Sequence, residues 1–349
     1  MPALVPLILF AAPLAGFLSD RIHPRRVLAA GIFVFSAGMW ICALSQGAAG
    51  LFLGRSLTGV GEAALFVVGP QSIGTERGSA GKLAIFLSAM PLGGAAGFVA
   101  ASRATAASFR HILIFPVIPG VILALILLSV SIPFPDKGSS PAHPRQVAAL
   151  FSRDRSLWSI LTVEGTNIFV MGGMSVWISL YLTREKHLGM GLASEMTGVA
   201  LVIGGLAGIL LSGILCDRIS SGSLRPLYLV LQGSQGLSLA GIIIVLAVSG
   251  KVLLFAGLLI ASVGLFGSNV PVLVALLRKS PPAMWGTVLG SVLFVAHLFG
   301  DLPSATVIGL FASKIGLSRS LELLLPVPVM IGLLSLWVVL DNEEKKRTP

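Results

Sequence analysis

The heptapeptide Gly16-Phe17-Leu18-Ser19-Asp20-Arg21-Ile22 returns nearly unchanged as Gly213-Ile214-Leu215-Cys216-Asp217-Arg218-Ile219. Five of the seven positions are identical, and each copy closes a hydrophobic run. The copies lie about 200 residues apart, far beyond a solenoid period and suited to a duplicated bundle of membrane helices. Composition points the same way. Of 349 residues, 55% are hydrophobic and 11% charged, with mean hydropathy +0.96, whereas a soluble protein carries roughly 25% charged residues. Most of the surface therefore meets lipid, and the 41 glycines suit close helix packing within it.

Apolar runs long enough to cross about 30 Å of hydrocarbon fall at roughly 1–18, 27–46, 50–72, 82–102, 111–133, 157–183, 193–216, 226–249, 251–277, 284–312 and 320–341. The longest polar interruption, 134–156, holds Pro135, Pro141, Pro144, Lys137, Arg145, Arg153 and Arg155. It reads as a cytoplasmic linker between an N-terminal half, 1–133, and a C-terminal half, 157–341, with a tail at 342–349. Placing the 19–26 turn in the cytoplasm puts most of the Lys and Arg on that side, including Arg25, Arg26, Lys345 and Lys346. The positive-inside rule then predicts a multi-pass protein of the inner or plasma membrane with a cytoplasmic C-terminus. Two spans lead up to the second heptapeptide but only one to the first. The count thus predicts an eleven-span chain that lacks the first helix of a six-plus-six bundle.

Other classes find little support. The net charge of +10 is scattered between apolar runs without a basic stripe and interleaved aromatics, so no nucleic-acid partner is expected. Cys42 and Cys216 lie within or at the edge of spans and form no CxxC or disulfide framework. Gly59-Val-Gly61-Glu-Ala-Ala64 spells G-x-G-x-x-A but sits inside a span, not after a strand. No HExxH, EF-hand, Ser–His–Asp or paired-carboxylate pattern occurs, so no metal, cofactor or enzymatic activity is expected.

The paired G-x-L-x-D-R-I segments resemble the signature of the major facilitator superfamily, found between its second and third helices and echoed in its second half. Three further stretches resemble the Spinster-type lipid transporters of that superfamily: Arg55-Ser-Leu-Thr-Gly-Val-Gly-Glu62-Ala63, Ala89-Met-Pro91-Leu-Gly93-Gly-Ala-Ala-Gly97 and His297-Leu-Phe-Gly300-Asp301-Leu-Pro-Ser304. The sequence departs from the pattern in several places, among them the second copy, whose following basic residue, Arg225, lies further along. Pro24 displaces the basic pair Arg25-Arg26, Ser304 is followed by Ala305 where Ser-Pro is expected, and Gly69-Pro70 stands for Ala-Pro. The resemblance implies an all-α, two-half helical bundle in a lipid bilayer, working by alternating access; the sequence does not give the oligomeric state, and a monomer is the expectation. It implies a lysolipid or sphingoid-like substrate with protons as a candidate coupling ion. An organic anion, sugar acid or drug is the alternative substrate. A non-transporting sensor, scaffold or remnant is the alternative class.

Several polar residues stand out against this apolar background. Arg55 and Glu62 are two turns apart on one helical face, about 10 Å along the axis, and a charge at mid-membrane costs at least ~2.5–3.5 kcal/mol unless it faces protein or water. They could bracket a headgroup, with Glu62 carrying a proton, or merely cap carbonyls and pair locally. Glu164 and Asn167 are one turn apart, and His297 and Asp301 are spaced i, i+4, as a proton relay or a satisfied pair. Asp20 and Asp217 end their helices, where an acidic group is unfavourable without a compensating partner. The resemblance implies that this partner is the N-terminal end of a helix in the opposite half, assisted by Arg21, Arg25 and Arg218. Gly16 and Gly213 would permit the approach, and the assembly would act as a gate. Trp40, Trp158 and Trp285 lie near span ends and read as interface anchors, and Asn269 with Pro271 marks a kink or an interhelical bond.

Overall fold

The computed structural model describes residues 5–76, 78–102, 109–130, 134, 144–219 and 223–345, and among these it contains helices and no strand. The first seven helices are α1 (Val5–Arg21), α2 (Pro24–Leu44), α3 (Ala48–Val68), α4 (Ser79–Leu87), α5 (Ala89–Ser102), α6 (Phe109–Ile114) and α7 (Val117–Ser129). Then come α8 (Pro144–Arg153), α9 (Arg155–Arg184), α10 (Met190–Ile219), α11 (Arg225–Ala247) and α12 (Lys251–Gly267). The last five are α13 (Asn269–Lys279), α14 (Trp285–Phe299), α15 (Asp301–Ile315), α16 (Leu317–Leu324) and α17 (Pro326–Lys345).

Among the described residues, 10 helical stretches are long and apolar enough to cross a membrane, from Pro24–Leu44 to Leu317–Asp341. They coincide with the ten apolar runs read between 27 and 341. The run at 1–18 falls on α1, whose 17 residues begin after four positions outside the described set. The linker read at 134–156 contains α8, while its residues 135–143, like 346–349 of the tail, lie outside the described residues.

Local chemistry sets the boundaries. Pro24 stands in the first turn of α2, where its missing N–H costs nothing, and the His23 ring accepts from the Arg25 amide at 3.4 Å. Asp154 caps α9, its Oδ1 accepting from the Ser156 amide at 2.9 Å and the Ser156 hydroxyl at 2.6 Å. α12 gives way to α13 at Ser268, directly before Asn269 and Pro271. Beyond the end of α9 the Lys186 ammonium donates to the Leu246 carbonyl at 2.7 Å. Burial pushes that ammonium below the usual lysine range, against the opposing pull of Glu322 and Glu185.

The helices group into two compact units. One comprises Met1–Gly74, Ala96–Arg153 and Leu276–Val295; the other comprises Thr75–Ala95, Asp154–Ala275 and Ala296–Pro349. In the first, α2 and α3 pack at backbone distance. A Cβ on Gly38 would come 2.6 Å from both the Gly54 carbonyl and the Thr58 amide. In the second, the core joins Val170, Met174 and Ile178 of α9 to Leu258 and Leu265 of α12 and Ile308 of α15. Outward faces remain apolar: Ile85 is 71% exposed and Phe115 79%. α7 turns Ile118, Ile122, Leu123 and Ile126 outward. At about 25 cal/mol per Å² such faces would be costly in water and are at home in lipid.

Trp285 corrects one reading. It is 3% exposed, and its indole N–H donates to the carbonyls of Leu277 (2.8 Å) and Ser280 (2.9 Å). It closes the end of α13 internally instead of anchoring at a lipid interface. Trp40 and Trp158 do face outward.

The α2–α3 contact yields a test. Gly38→Leu forces a side chain into backbone and is expected to cost about 1–3 kcal/mol or more. This would appear as a clearly lowered melting temperature and aggregation on size exclusion in detergent. Gly47→Leu, where nothing lies within 4 Å, is expected to melt like the parent.

Candidate functional site

Each copy of the repeated heptapeptide ends on the N-terminus of another helix, in the same register. Asp20 Oδ1 accepts from the Gly286 amide at 3.0 Å, and its Oδ2 accepts from the Thr287 amide and the Thr287 hydroxyl, both at 2.7 Å. Asp217 Oδ1 accepts from the Ala80 amide at 3.1 Å, and Oδ2 from the Gly81 amide at 2.8 Å. Gly286 and Thr287 are the second and third residues of α14; Ala80 and Gly81 are the second and third of α4. A helix start carries unpaired N–H groups and partial positive charge. A bidentate carboxylate satisfies two of those donors at once. The acid on α1 holds a helix from the second half of the chain, and the acid on α10 holds a helix from the first.

Glycine makes both contacts possible. A Cβ on Gly16 would collide with the Gly286 carbonyl, and one on Gly213 would meet the Ala84 methyl and, at 3.0 Å, the Ala80 carbonyl. The first latch is backed by Ser19, whose hydroxyl donates to the Gly16 carbonyl at 2.8 Å and accepts from Gln71 Nε2 at 3.1 Å. The basic residues take separate places. The Arg21 guanidinium lies 3.8 Å over the Phe17 ring, and Arg25 donates to the Val130 carbonyl at 2.7 Å. Arg218 is exposed on the last turn of α10.

Arg55 and Glu62 are both exposed on α3. That helix packs Gly54, Gly61 and Ala64 against α2. The two charged groups are themselves exposed, while Thr58 and Gly59, between them on the same face, are buried.

A second set of polar residues surrounds α9. The α14–α15 stretch breaks at Gly300, whose φ of −97° and ψ of −91° are non-helical. His297 ends one segment and Asp301 begins the next, with Nδ1 and Oδ2 3.8 Å apart. Gly165 and Gly172 of α9 face this break: a Cβ on Gly172 would meet Asp301 Oδ1 and, at 2.7 Å, Ser304 Oγ. Glu164 lies within electrostatic reach of His297. Asn167 donates through Nδ2 to the Leu265 carbonyl at 2.7 Å. Sequence reading singled out these four residues but not Gln235, which is fully buried and donates to the Ser268 hydroxyl at 3.2 Å. A lone amide in an apolar helix carries no spacing signal; only its burial in so hydrophobic a run could have drawn notice. Among the described residues no group of three or more His, Cys, Asp or Glu is arranged to hold a metal.

The sequence profile of the Major Facilitator Superfamily matches residues 3–303. Sphingosine-1-phosphate transporter SPNS2 of Xenopus tropicalis is 29% identical over 197 residues, covering 50% of this chain and 36% of that protein. Protein spinster homolog 3 of Homo sapiens is 25% identical over 351 residues, covering 90% of this chain and 67% of that protein. The chain thus spans only part of the length of the SPNS2 relative it matches. The crystal structure of the human organic anion transporter MFSD10 (TETRAN) has the same fold, with a TM-score of 0.78 at 15% identity over 96% of this chain and 82% of that one.

The latches make a quantitative prediction. Asp20→Asn replaces one acceptor oxygen by an NH₂ facing backbone donors, and hydrogen bonds to a charged group are worth about 1.5–3 kcal/mol. A loss of about 3 kcal/mol is expected, measured as a fall in the melting temperature of the detergent-purified protein. Asp217→Asn, with two such bonds at a half-buried site, is expected to lose less.

Proposed function

The chain belongs to the major facilitator superfamily, a family of membrane transporters, and we propose that it is a secondary transporter of a lipid-like amphiphile working by alternating access. The observation that carries this reading is the pair of matched latches, in which a helix-ending aspartate grips the second and third N–H groups of a helix from the other half of the sequence. Such a contact is strong when made and, in low dielectric, costly to leave open. It is therefore suited to hold one access state and to release it as a step. In this reading Asp20, Arg21, Arg25, Asp217 and Arg218 set the gate, Gly16 and Gly213 let it close, and the gated side and the C-terminus are cytoplasmic.

Substrate binding is assigned to Arg55 and Glu62. The guanidinium offers a planar donor fork that matches a phosphate. Glu62, two turns away on the same helix, complements an ammonium or takes up a proton. A sphingoid or lysophospholipid head presents both kinds of group on one amphiphile. The relatives named for sphingosine-1-phosphate transport favour this class over a sugar acid or a drug. Proton handling is assigned separately to His297 and Asp301, with Glu164 within electrostatic reach of the imidazole: histidine changes charge near neutral pH, and an acid on either side can pass a proton through it.

Uptake into proteoliposomes under an imposed proton gradient tests this assignment, with sphingosine-1-phosphate and a lysophospholipid as probes. The parent is expected to accumulate one of them. Glu62→Gln is expected to lose at least tenfold of gradient-driven uptake while keeping exchange without a gradient. Arg55→Gln is expected to raise KM for the phosphate-bearing probe. Undiminished gradient-driven uptake by Glu62→Gln removes the proton-carrier role. Failure of the parent to move either amphiphile removes the lipid reading.

A further inference from the structure

The carboxylate at the break between α14 and α15 sits in a notch on its neighbour. Asp301 opens α15 directly after the non-helical Gly300. A Cβ on Gly172 of α9 would lie 2.5 Å from Asp301 Oδ1 and 3.3 Å from its Cα. Oδ1 therefore occupies the space that any larger residue at position 172 would fill. The other oxygen, Oδ2, lies 3.8 Å from His297 Nδ1. One acid thus meets a bare stretch of α9 on one side and the imidazole on the other.

The backbone around Asp301 is fixed against α9. Gly165 and Gly172 are two turns apart on one face of that helix. A Cβ on Gly300 would come 2.7 Å from the Gly165 carbonyl and 2.9 Å from Ile168 Cγ2. Beyond Asp301, the Trp177 indole of α9 donates to the Ala305 carbonyl at 3.0 Å. Tied on both sides, the carboxylate has little freedom to retreat from a side chain at 172. The neighbouring Ser304 hydroxyl gives it no hold, since its proton goes to the Asp301 backbone carbonyl at 3.0 Å.

The distance to the imidazole makes this seat consequential. At 3.8 Å the pair is beyond hydrogen-bond range, and a displacement of about 1 Å separates it from a bonded pair. Charge interactions at such range are steep in distance, and more so in low dielectric. Glu164 faces His297 from α9 and Asp301 faces it from α15. Of these two acids, Asp301 is the one that meets Gly172.

We propose that Gly172 is a positioning residue: by giving Asp301 Oδ1 a seat on α9, it sets the distance between that carboxylate and the His297 imidazole. The inference rests on the assignment of proton handling to His297 and Asp301. It adds that α9 governs how strongly a pair carried by another stretch of the chain holds its proton.

The test follows the His297 imidazole by NMR of the purified full chain in nanodiscs, carbon-13 labelled at histidine. The spectrum of His297→Gln identifies its signal among the 5 histidines. Gly172→Ala is expected to move the titration midpoint by about half a pH unit or more. In an Asp301→Asn background the same substitution is expected to leave the midpoint in place, because no charge remains to be displaced. Gly173→Ala is the packing control: its methyl would meet Ile308 Cδ1 at 2.5 Å, straining the contact with α15 without touching the acid. It is expected to lower the melting temperature and keep the parent midpoint. Asp301→Glu leaves α9 unchanged, keeps the charge and overreaches the notch by one methylene, so it too is expected to move the midpoint. A midpoint unmoved in Gly172→Ala or Asp301→Glu would overturn the proposal. So would an equal shift in Gly173→Ala, a shift that survives Asp301→Asn, or a parent imidazole that does not titrate. Proton-driven uptake separates the two readings: a midpoint that moves while the pH profile of uptake stays put removes proton handling and leaves the seat standing.

Discussion

A helix start inside an apolar protein leaves N–H groups that neither water nor the helix itself can satisfy, and the aspartates answer that constraint here. Asp20 and Asp217 turn a liability of the helix they end into the partner of the helix they meet. Neither arrangement works alone: a carboxylate at a C-terminus is repelled by the carbonyl dipoles, and a bare N-terminus is short of acceptors. Joined, each cancels the other's cost. The tolerance for bulk is low, because the approach runs through Gly16 and Gly286 on one side and Gly213 and Ala80 on the other. The repeat therefore conserves a distance as well as a charge.

The polar residues of α9 obey the same accounting with a different result. In an apolar chain, each buried amide or acid needs a partner, and most have one: Asn167 reaches the Leu265 carbonyl, Ser159 the Ser335 carbonyl at 3.0 Å, and Trp177 the Ala305 carbonyl at 3.0 Å. These bonds tie α9 to α12, α17 and α15. The deficit is confined to one sign. The amide donors are placed, while the acceptors Glu164 Oε2, Asn167 Oδ1 and Gln235 Oε1 are left over.

Much of this was legible in the sequence because lipid imposes a continuous requirement. Every span must stay apolar over its whole length, so the runs from 27–46 onward matched helices from α2 to α17. The repeated heptapeptide was legible because duplication displays the constrained residues twice. Its partners were not, since Gly286, Thr287, Ala80 and Gly81 act through backbone N–H groups that leave no side-chain signature. Trp285 was misread for a related reason. A tryptophan near a span end suits an interface, and only the fold reveals the Leu277 and Ser280 carbonyls waiting for its indole. Gln235 was silent because its partner, the Ser268 hydroxyl, depends on which helices face each other.

The two latches share a register but not a strength, and the difference is written in the positions where the heptapeptides diverge or meet different helices. On the first, the gripped helix offers Thr287, whose hydroxyl adds a third bond to Asp20 Oδ2. On the second, the equivalent position is Gly81, which has no side chain, and a Cβ there would come 2.9 Å from Asp217 Oδ2. Ser19 lies beside Asp20 and links it through Gln71 to α3, whereas Cys216 takes that place beside Asp217, with a thiol that is a weaker donor and acceptor. Asp20 is buried and Asp217 is half-buried, so water reaches the second carboxylate more readily and lowers the cost of opening it. Of the two contacts, the second has fewer bonds and better access to water. A duplicated motif would by itself give two equal contacts; Cys in place of Ser and Gly in place of Thr make them unequal.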